Sequence, residues 1–166
     1  MEAKDVIDLL DFLEQSELEI YVDGGWAVDA LLREQTRRHD DLDIAVPHRQ
    51  VPLLRRLMEE LGFHERPQAD SWECNFVLID AVGRRLDVHS YTLDAAGNNV
   101  SGVAYIGDQL TGTGVIGGRP VRCIDPAWLV KFHTGYEVDE TDHHDVRRLR
   151  ERFGLPIPAD YSKFSY

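Results

Sequence analysis

Cysteine is scarce: Cys74 and Cys123 stand alone, too few for a disulfide framework or a thiolate metal site. Both are read as buried free thiols. No apolar run approaches the ~20 residues that a membrane helix needs, although hydrophobic residues make up 43% of the chain. The opening Met1-Glu2-Ala3-Lys4-Asp5 lacks the basic and then apolar regions of a secretory signal. The expectation is a soluble, cytoplasmic protein with no membrane partner. Basic residues are outnumbered, 18 against 30 acidic, for a formal net charge of −12. Such a charge repels a nucleic-acid backbone and attracts cations, although acidity for solubility alone has the same signature. Repeats and low-complexity runs are absent too. What remains is 166 residues, enough for one domain with one core. The expected division is a sheet-and-helix core over about 1–124 and a helical segment over about 125–166.

Val6, Leu9, Leu10 and Leu13 recur at helical spacing and predict an amphipathic helix over about 3–15. Ile20 and Val22 lead as a short strand into Gly24-Gly25, after which Trp26 to Leu32 reads as a second helix. From Asp41 to Val46 acidic and apolar residues alternate, placing Leu42, Ile44 and Val46 on one face and Asp41 and Asp43 on the other. A helix over about 48–61 follows, stopped by Gly62. Strands over 73–80 and 85–91 flank a turn at Ala81-Val82-Gly83-Arg84, and in the second Asp87 and His89 oppose Leu86 and Val88. The glycine-rich stretch 97–118 gives no clear period, but Gly117-Gly118 turns the chain into a strand over 119–124. Asp125-Pro126 opens a helix that Gly135 ends, and Thr141 is the expected N-cap of a last helix carrying Val146, Leu149 and Phe153.

Asp40, Asp41 and Asp43 crowd three carboxylates into four positions, which repel one another unless a cation lies between them. Oxygen ligands without thiols suit Mg²⁺, which takes one or two carboxylates plus substrate phosphates and water. Two such ions on Asp41 and Asp43, with Asp87 from another strand activating an attacking hydroxyl, would meet the needs of an in-line nucleotidyl displacement. Gly24 and Gly25 let backbone N–H groups approach a phosphate, and the following helix offers its positive end. A solvated strand edge explains an isolated D-x-D equally well; the combination of turn, D-x-D strand and later Asp is what favours chemistry. His89 shares the predicted face of Asp87, placed to orient that carboxylate or to touch a substrate.

The run Asp23-Gly24-Gly25-Trp26-Ala27-Val28-Asp29 through Thr36-Arg37-Arg38-His39-Asp40-Asp41-Leu42-Asp43 resembles the small antibiotic nucleotidyltransferases of the DNA polymerase β-like superfamily. Leu86-Asp87-Val88-His89 resembles that family's third-carboxylate strand. His133-Thr134-Gly135-Tyr136 with Asp139-Glu140-Thr141-Asp142-His143 resembles the C-terminal helices of lincosamide nucleotidyltransferases, whereas 114–123 is more similar to the aminoglycoside 2″-nucleotidyltransferases. The resemblance implies an α+β fold: a mixed twisted sheet flanked by helices, with C-terminal helices. It also implies transfer of a nucleoside monophosphate from ATP or another NTP to an antibiotic hydroxyl, releasing pyrophosphate. On the matching positions Asp41 and Asp43 would bind two Mg²⁺ ions, with Asp87 the third metal-proximal carboxylate and base. Gly24, Gly25 and Trp26 would form the triphosphate turn, with Thr36, Arg37 and His39 placed to meet donor phosphates. Tyr136, Glu137 and Asp139, beside His89, would help to wall a pocket for a cationic acceptor.

A lincosamide acceptor is expected ahead of an aminoglycoside, in a monomer or homodimer. Two other classes remain open on the residues: an antitoxin-like module that modifies a protein, and a metal-dependent hydrolase built on Asp40, Asp41, His89, His143 and His144.

Overall fold

Val6, Leu9, Leu10 and Leu13 form one buried stripe on the first helix, α1 (Ala3–Gln15), which therefore packs as an amphipathic cover on the core. The computed structural model describes residues 1–164; residues 165 and 166, which the expected C-terminal segment included, lie outside the described residues. From α1 the chain enters β1 (Tyr21–Asp23), turns directly into α2 (Gly24–Leu32), and returns through a loop to β2 (Asp41–Pro47). A single 3₁₀ turn at His48–Gln50 precedes α3 (Val51–Glu60), so the regular helix begins later than the sequence suggests. Pro52 explains the displacement, because its fixed φ and missing N–H suit the first turn of a helix and not its interior.

A two-residue strand, β3 (His64–Glu65), was not foreseen; it pairs with β4 (Asn75–Ile79), which forms the expected hairpin with β5 (Arg85–Leu93). The hairpin turn is held by Asp80, whose Oδ1 accepts from the backbone N–H groups of Val82 and Arg84 at 3.1 and 2.8 Å. The segment without a period resolves into β6 (Asn99–Gly102), a 3₁₀ turn, and β7 (Gly112–Ile116), which pairs with β8 (Arg119–Cys123). Two helices follow, α4 (Pro126–Phe132) and α5 (Glu140–Phe153), and a 3₁₀ turn at Ala159–Tyr161 comes after them. Asp139, not Thr141, caps α5: its carboxylate accepts from the N–H groups of Thr141 and Asp142, and Asp142 bonds back to the Asp139 N–H. A carboxylate is the stronger acceptor at the positive end of the helix.

In the described residues the strands form one mixed sheet, ordered β3-β4-β5-β2-β1-β8-β7 with β6 on the side of β5. The centre decides the chemistry. β2 runs antiparallel to β1 and parallel to β5, and the alternating residues Val22, Leu42, Ile44, Val46, Leu86 and Val88 are almost fully buried. Their neighbours Asp41, Asp43, Asp87 and His89 therefore emerge on the opposite face. One hydrophobic cluster runs from Val6 of α1 to Tyr161 beyond α5. No helix among the described residues is long and apolar enough to cross a membrane.

Candidate active site

Strand register assembles the acids. Asp23 lies opposite Asp43 across β1 and β2, and Asp43 lies opposite Asp87 across β2 and β5, so three carboxylates form a row on one face of the sheet. Asp41, two residues before Asp43, shares that face and lies opposite Arg85. Burial first, then the charges of Asp41, Asp23 and Asp87, pushes the Asp43 carboxyl well above the ordinary carboxylate range. Burial, then Asp87, pushes Asp41 upward as well.

The glycine turn lies against this row. Gly24 has φ +57°, and a Cβ there would overlap the Asp43 carboxylate; a Cβ at Gly25 would overlap the Arg37 guanidinium and the His39 ring. Both positions exclude a side chain, the first also by its backbone conformation. Asp23 caps α2 by accepting from the Gly24 N–H at 2.7 Å. The N-terminus of α2 therefore opens beside the carboxylates, as a site for an anion requires. Trp26 is buried in the core and packs its ring 4.5 Å from that of His39.

Thr36, Arg37 and His39 occupy the loop between α2 and β2, where each is tied to a buried acid. Thr36 Oγ1 donates to Asp29 Oδ1 at 2.7 Å, and the His39 ring meets Asp29 Oδ2 at 2.5 Å. The Arg37 guanidinium grips Asp145 of α5 through Nε and Nη2, at 3.0 and 2.7 Å. Arg37 and His39 still border Gly25, but the Arg37 guanidinium and the His39 Nε2 are engaged in holding the loop in place.

A second chain of contacts leads away from the row. The Tyr105 hydroxyl donates a short hydrogen bond to Asp23 and lies 3.3 Å from His89 Nδ1. Burial and the Asp23 charge push the Tyr105 phenol well above its usual value, so it stays protonated and donates. Beside it opens a cleft of about 770 Å³, lined by Trp72 and Asn75, by Gly102 to Tyr105, and by Trp128, Lys131 and Phe132 of α4. Asp23 and His89 also line it, so the cleft adjoins the carboxylate row.

Tyr136, Glu137 and Asp139 do not line this cleft. The Tyr136 hydroxyl donates to Asp142, Asp139 caps α5, and Glu137 is exposed. The helix residues that line the cleft belong to α4. His143 and His144 also diverge: His143 stacks on Phe164 at 4.3 Å, while His144 bonds Thr36 at 3.1 Å. They do not join Asp40, Asp41 and His89 in a metal centre, and no group of three metal-ligating side chains is gathered for an ion among the described residues.

That last fact bears on Mg²⁺. Arg85 forks onto Asp87, with Nε to Oδ1 and Nη2 to Oδ2 both at 2.8 Å, and its Nε lies 3.9 Å from Asp41 Oδ2. A guanidinium thus stands among the carboxylates. The donor set fits the metal: it is all oxygen, sits beside the Gly24-Gly25 turn at the start of α2, and its mutual repulsion calls for positive charge. Mg²⁺ also needs no complete protein cage, because substrate phosphates supply ligands.

Several residues at this site escaped the sequence reading. Asp23 and Arg85 had local signals, one in the N-cap position before Gly24 and the other two residues before Asp87 on the same strand face. Trp128, Lys131 and Phe132 share a helical face at spacings of three and four. Tyr105 had none, because its segment carries no periodicity.

Residues 5–149 match the family model for aminoglycoside-2''-adenylyltransferase. The chain is 28% identical over 153 residues to a lincosamide resistance protein of Staphylococcus haemolyticus, covering 89% of this chain and 93% of that one. It is 30% identical over 118 residues to a 2''-aminoglycoside nucleotidyltransferase of Escherichia coli, covering 69% of this chain but only 63% of the relative. Its fold is similar to the crystal structure of the lincomycin-bound lincosamide antibiotic adenylyltransferase LnuA, with a TM-score of 0.78, 25% identity, and coverage of 90% and 97%.

Proposed function

Since this chain belongs to the aminoglycoside-2''-adenylyltransferase family and is a nucleotidyltransferase, we propose that it transfers a nucleoside monophosphate from Mg²⁺-bound ATP, or another NTP, to a hydroxyl of a lincosamide-like acceptor. The observation that carries the reading is the register that sets Asp43 opposite both Asp23 and Asp87, with the Gly24-Gly25 turn on one side and an aromatic cleft on the other.

The donor's triphosphate lies against the turn, where the N–H groups at the start of α2 meet its oxygens. Asp41 and Asp43 would hold two Mg²⁺ ions, with Asp87 as a further ligand; when bound, these ions neutralise phosphate charge and favour departure of pyrophosphate. Asp87 takes the proton of the acceptor hydroxyl as its oxygen attacks the α-phosphorus, in line with the leaving pyrophosphate. His89, between Asp87 and the cleft, orients the acceptor.

The cleft's composition supports the lincosamide class. Tyr105, Trp72, Trp128 and Phe132 present aromatic surface, and Lys131 lies 4.4 Å from the Trp128 ring centroid. The lining acid is Asp23, whose oxygens already serve Gly24 and Tyr105. A polycation would meet a lysine and little free carboxylate, whereas an acceptor with one amine and an apolar body gains from the aromatic walls. The reading is tested by incubating the protein with Mg²⁺, ATP and a lincosamide or an aminoglycoside, then weighing the products. A mass gain of one nucleotide on the lincosamide is expected. No gain on either compound would sink the proposal, and a gain on the aminoglycoside alone would reassign the acceptor.

A further inference from the structure

Arg85 opens β5 directly opposite Asp41 and two residues before Asp87, so strand alternation sends its side chain to the carboxylate face. Its fork engages both oxygens of Asp87 at 2.8 Å and reaches to 3.9 Å from Asp41 Oδ2. These are two of the three carboxylates to which the metal ions are assigned. Arg37, the other guanidinium near the row, is committed to Asp145. Among the described residues the hydrogen bonds and ion pairs of the Arg85 guanidinium run to these acids, and its side chain is 37% exposed.

We propose that Arg85 is an exchangeable counter-ion: it holds Asp87 and Asp41 before the donor binds, then passes its guanidinium to the incoming triphosphate as Mg²⁺ takes the carboxylates. The proposal rests on the two-metal reading above. A bidentate guanidinium pair occupies the carboxylate lone pairs that a metal would use, so a divalent cation arriving alone must break that pair and leave the guanidinium without an anion. A triphosphate arriving with the metal supplies the missing partner, because a guanidinium fork matches phosphate oxygens as well as it matches a carboxylate. Metal and nucleotide therefore assist each other's binding, and by linkage the assistance is equal in both directions.

Mn²⁺ binding, followed by electron paramagnetic resonance and by calorimetry with and without a nonhydrolysable ATP analogue, tests this. In the unaltered protein the analogue is expected to tighten Mn²⁺ binding about tenfold or more. In Arg85→Gln, Mn²⁺ alone is expected to bind about tenfold tighter than in the unaltered protein, and the analogue to add little further. Arg85→Lys, which keeps the charge but not the fork, falls between. Thermal denaturation shows that each variant is folded, and Mn²⁺ alone should raise the melting temperature of Arg85→Gln more than that of the unaltered protein. If the unaltered protein binds Mn²⁺ with the analogue, yet Arg85→Gln leaves metal-only affinity the same or weaker, the exchange is overturned and the two-metal reading stands. If no protein binds Mn²⁺ even with the analogue, both fall together.

Discussion

Asp43 sits between Asp23 and Asp87 in the row, and burial together with Asp41, Asp23 and Asp87 raises its pKa well above the ordinary range. For an acid whose folded pKa is raised, the stabilising contribution belongs to the protonated form. It is complete below the unfolded value near 3.8 and is lost as pH rises through the raised folded value. Metal-free Asp43→Asn, which never ionises, is therefore expected to melt a few degrees above the unaltered protein at neutral pH, about 3 °C for a chain of this size. The difference should close as pH falls toward 4. Melting curves across pH check this, and a difference independent of pH would remove Asp43 from the strained cluster. The same variant should lose turnover, since it removes a ligand charge. On the proposed function, stability and activity would thus pull apart at this residue, as expected where like charges are held together for a cation. Asp41 and Asp43 were legible as a pair because strand alternation is a local property. The pairing of Asp87 with Arg85 was not read, although it follows the same alternation two residues earlier in β5.

At the scale of elements, the loop between α2 and β2 is held by both helices that flank it. Asp29 of α2 takes Thr36 and His39, and Asp145 of α5 takes Arg37. Asp145 is 1% exposed, so its removal leaves a half-buried guanidinium without its acceptor. Asp145→Ala is expected to cost about 2 kcal/mol of stability, and to weaken nucleotide binding, because Arg37 and His39 pack against Gly25 of the turn proposed to hold the triphosphate. Denaturant melts and nucleotide titrations measure the two effects; unchanged nucleotide affinity in a destabilised variant would confine the clamp to folding. The loop residues were picked out in the sequence by resemblance, with their roles directed at the donor. Their partners lie between 7 and 108 residues away, and no local pattern announces such a pairing. Helices α1 and α4 and the β4–β5 hairpin, by contrast, were readable from spacing and turn chemistry, which depend on near neighbours.

For the whole molecule, the net charge of −12 and the cleft point in different directions. The acidic surface draws cations in general, but the cleft presents Lys131 and aromatic rings where a polycation would need carboxylates. On the proposed function, selectivity would be set in the cleft and not by the global field. Lys131→Glu is expected to raise kcat/KM for an aminoglycoside about tenfold and to lower it for a lincosamide, through like-charge relief in one case and lost packing in the other. Steady-state kinetics with both acceptors check this. An equal change for the two would show that Lys131 affects the site without discriminating.

The amino-acid sequence by itself determined the acidic face: a glycine turn ahead of a helix, and two strands whose alternation puts Asp41, Asp43 and Asp87 on the face away from Leu42, Ile44, Leu86 and Val88. These follow from backbone periodicity within a few residues, and the fold cannot bury the apolar set without presenting the acidic one. Only the tertiary structure decided what surrounds those acids. Trp72, Tyr105 and Lys131 converge on the cleft from three separate segments, and Asp23 joins the row because β1 lies beside β2. Sheet order brings them together, and sheet order depends on which distant apolar faces pack against one another, information that no short window of sequence contains.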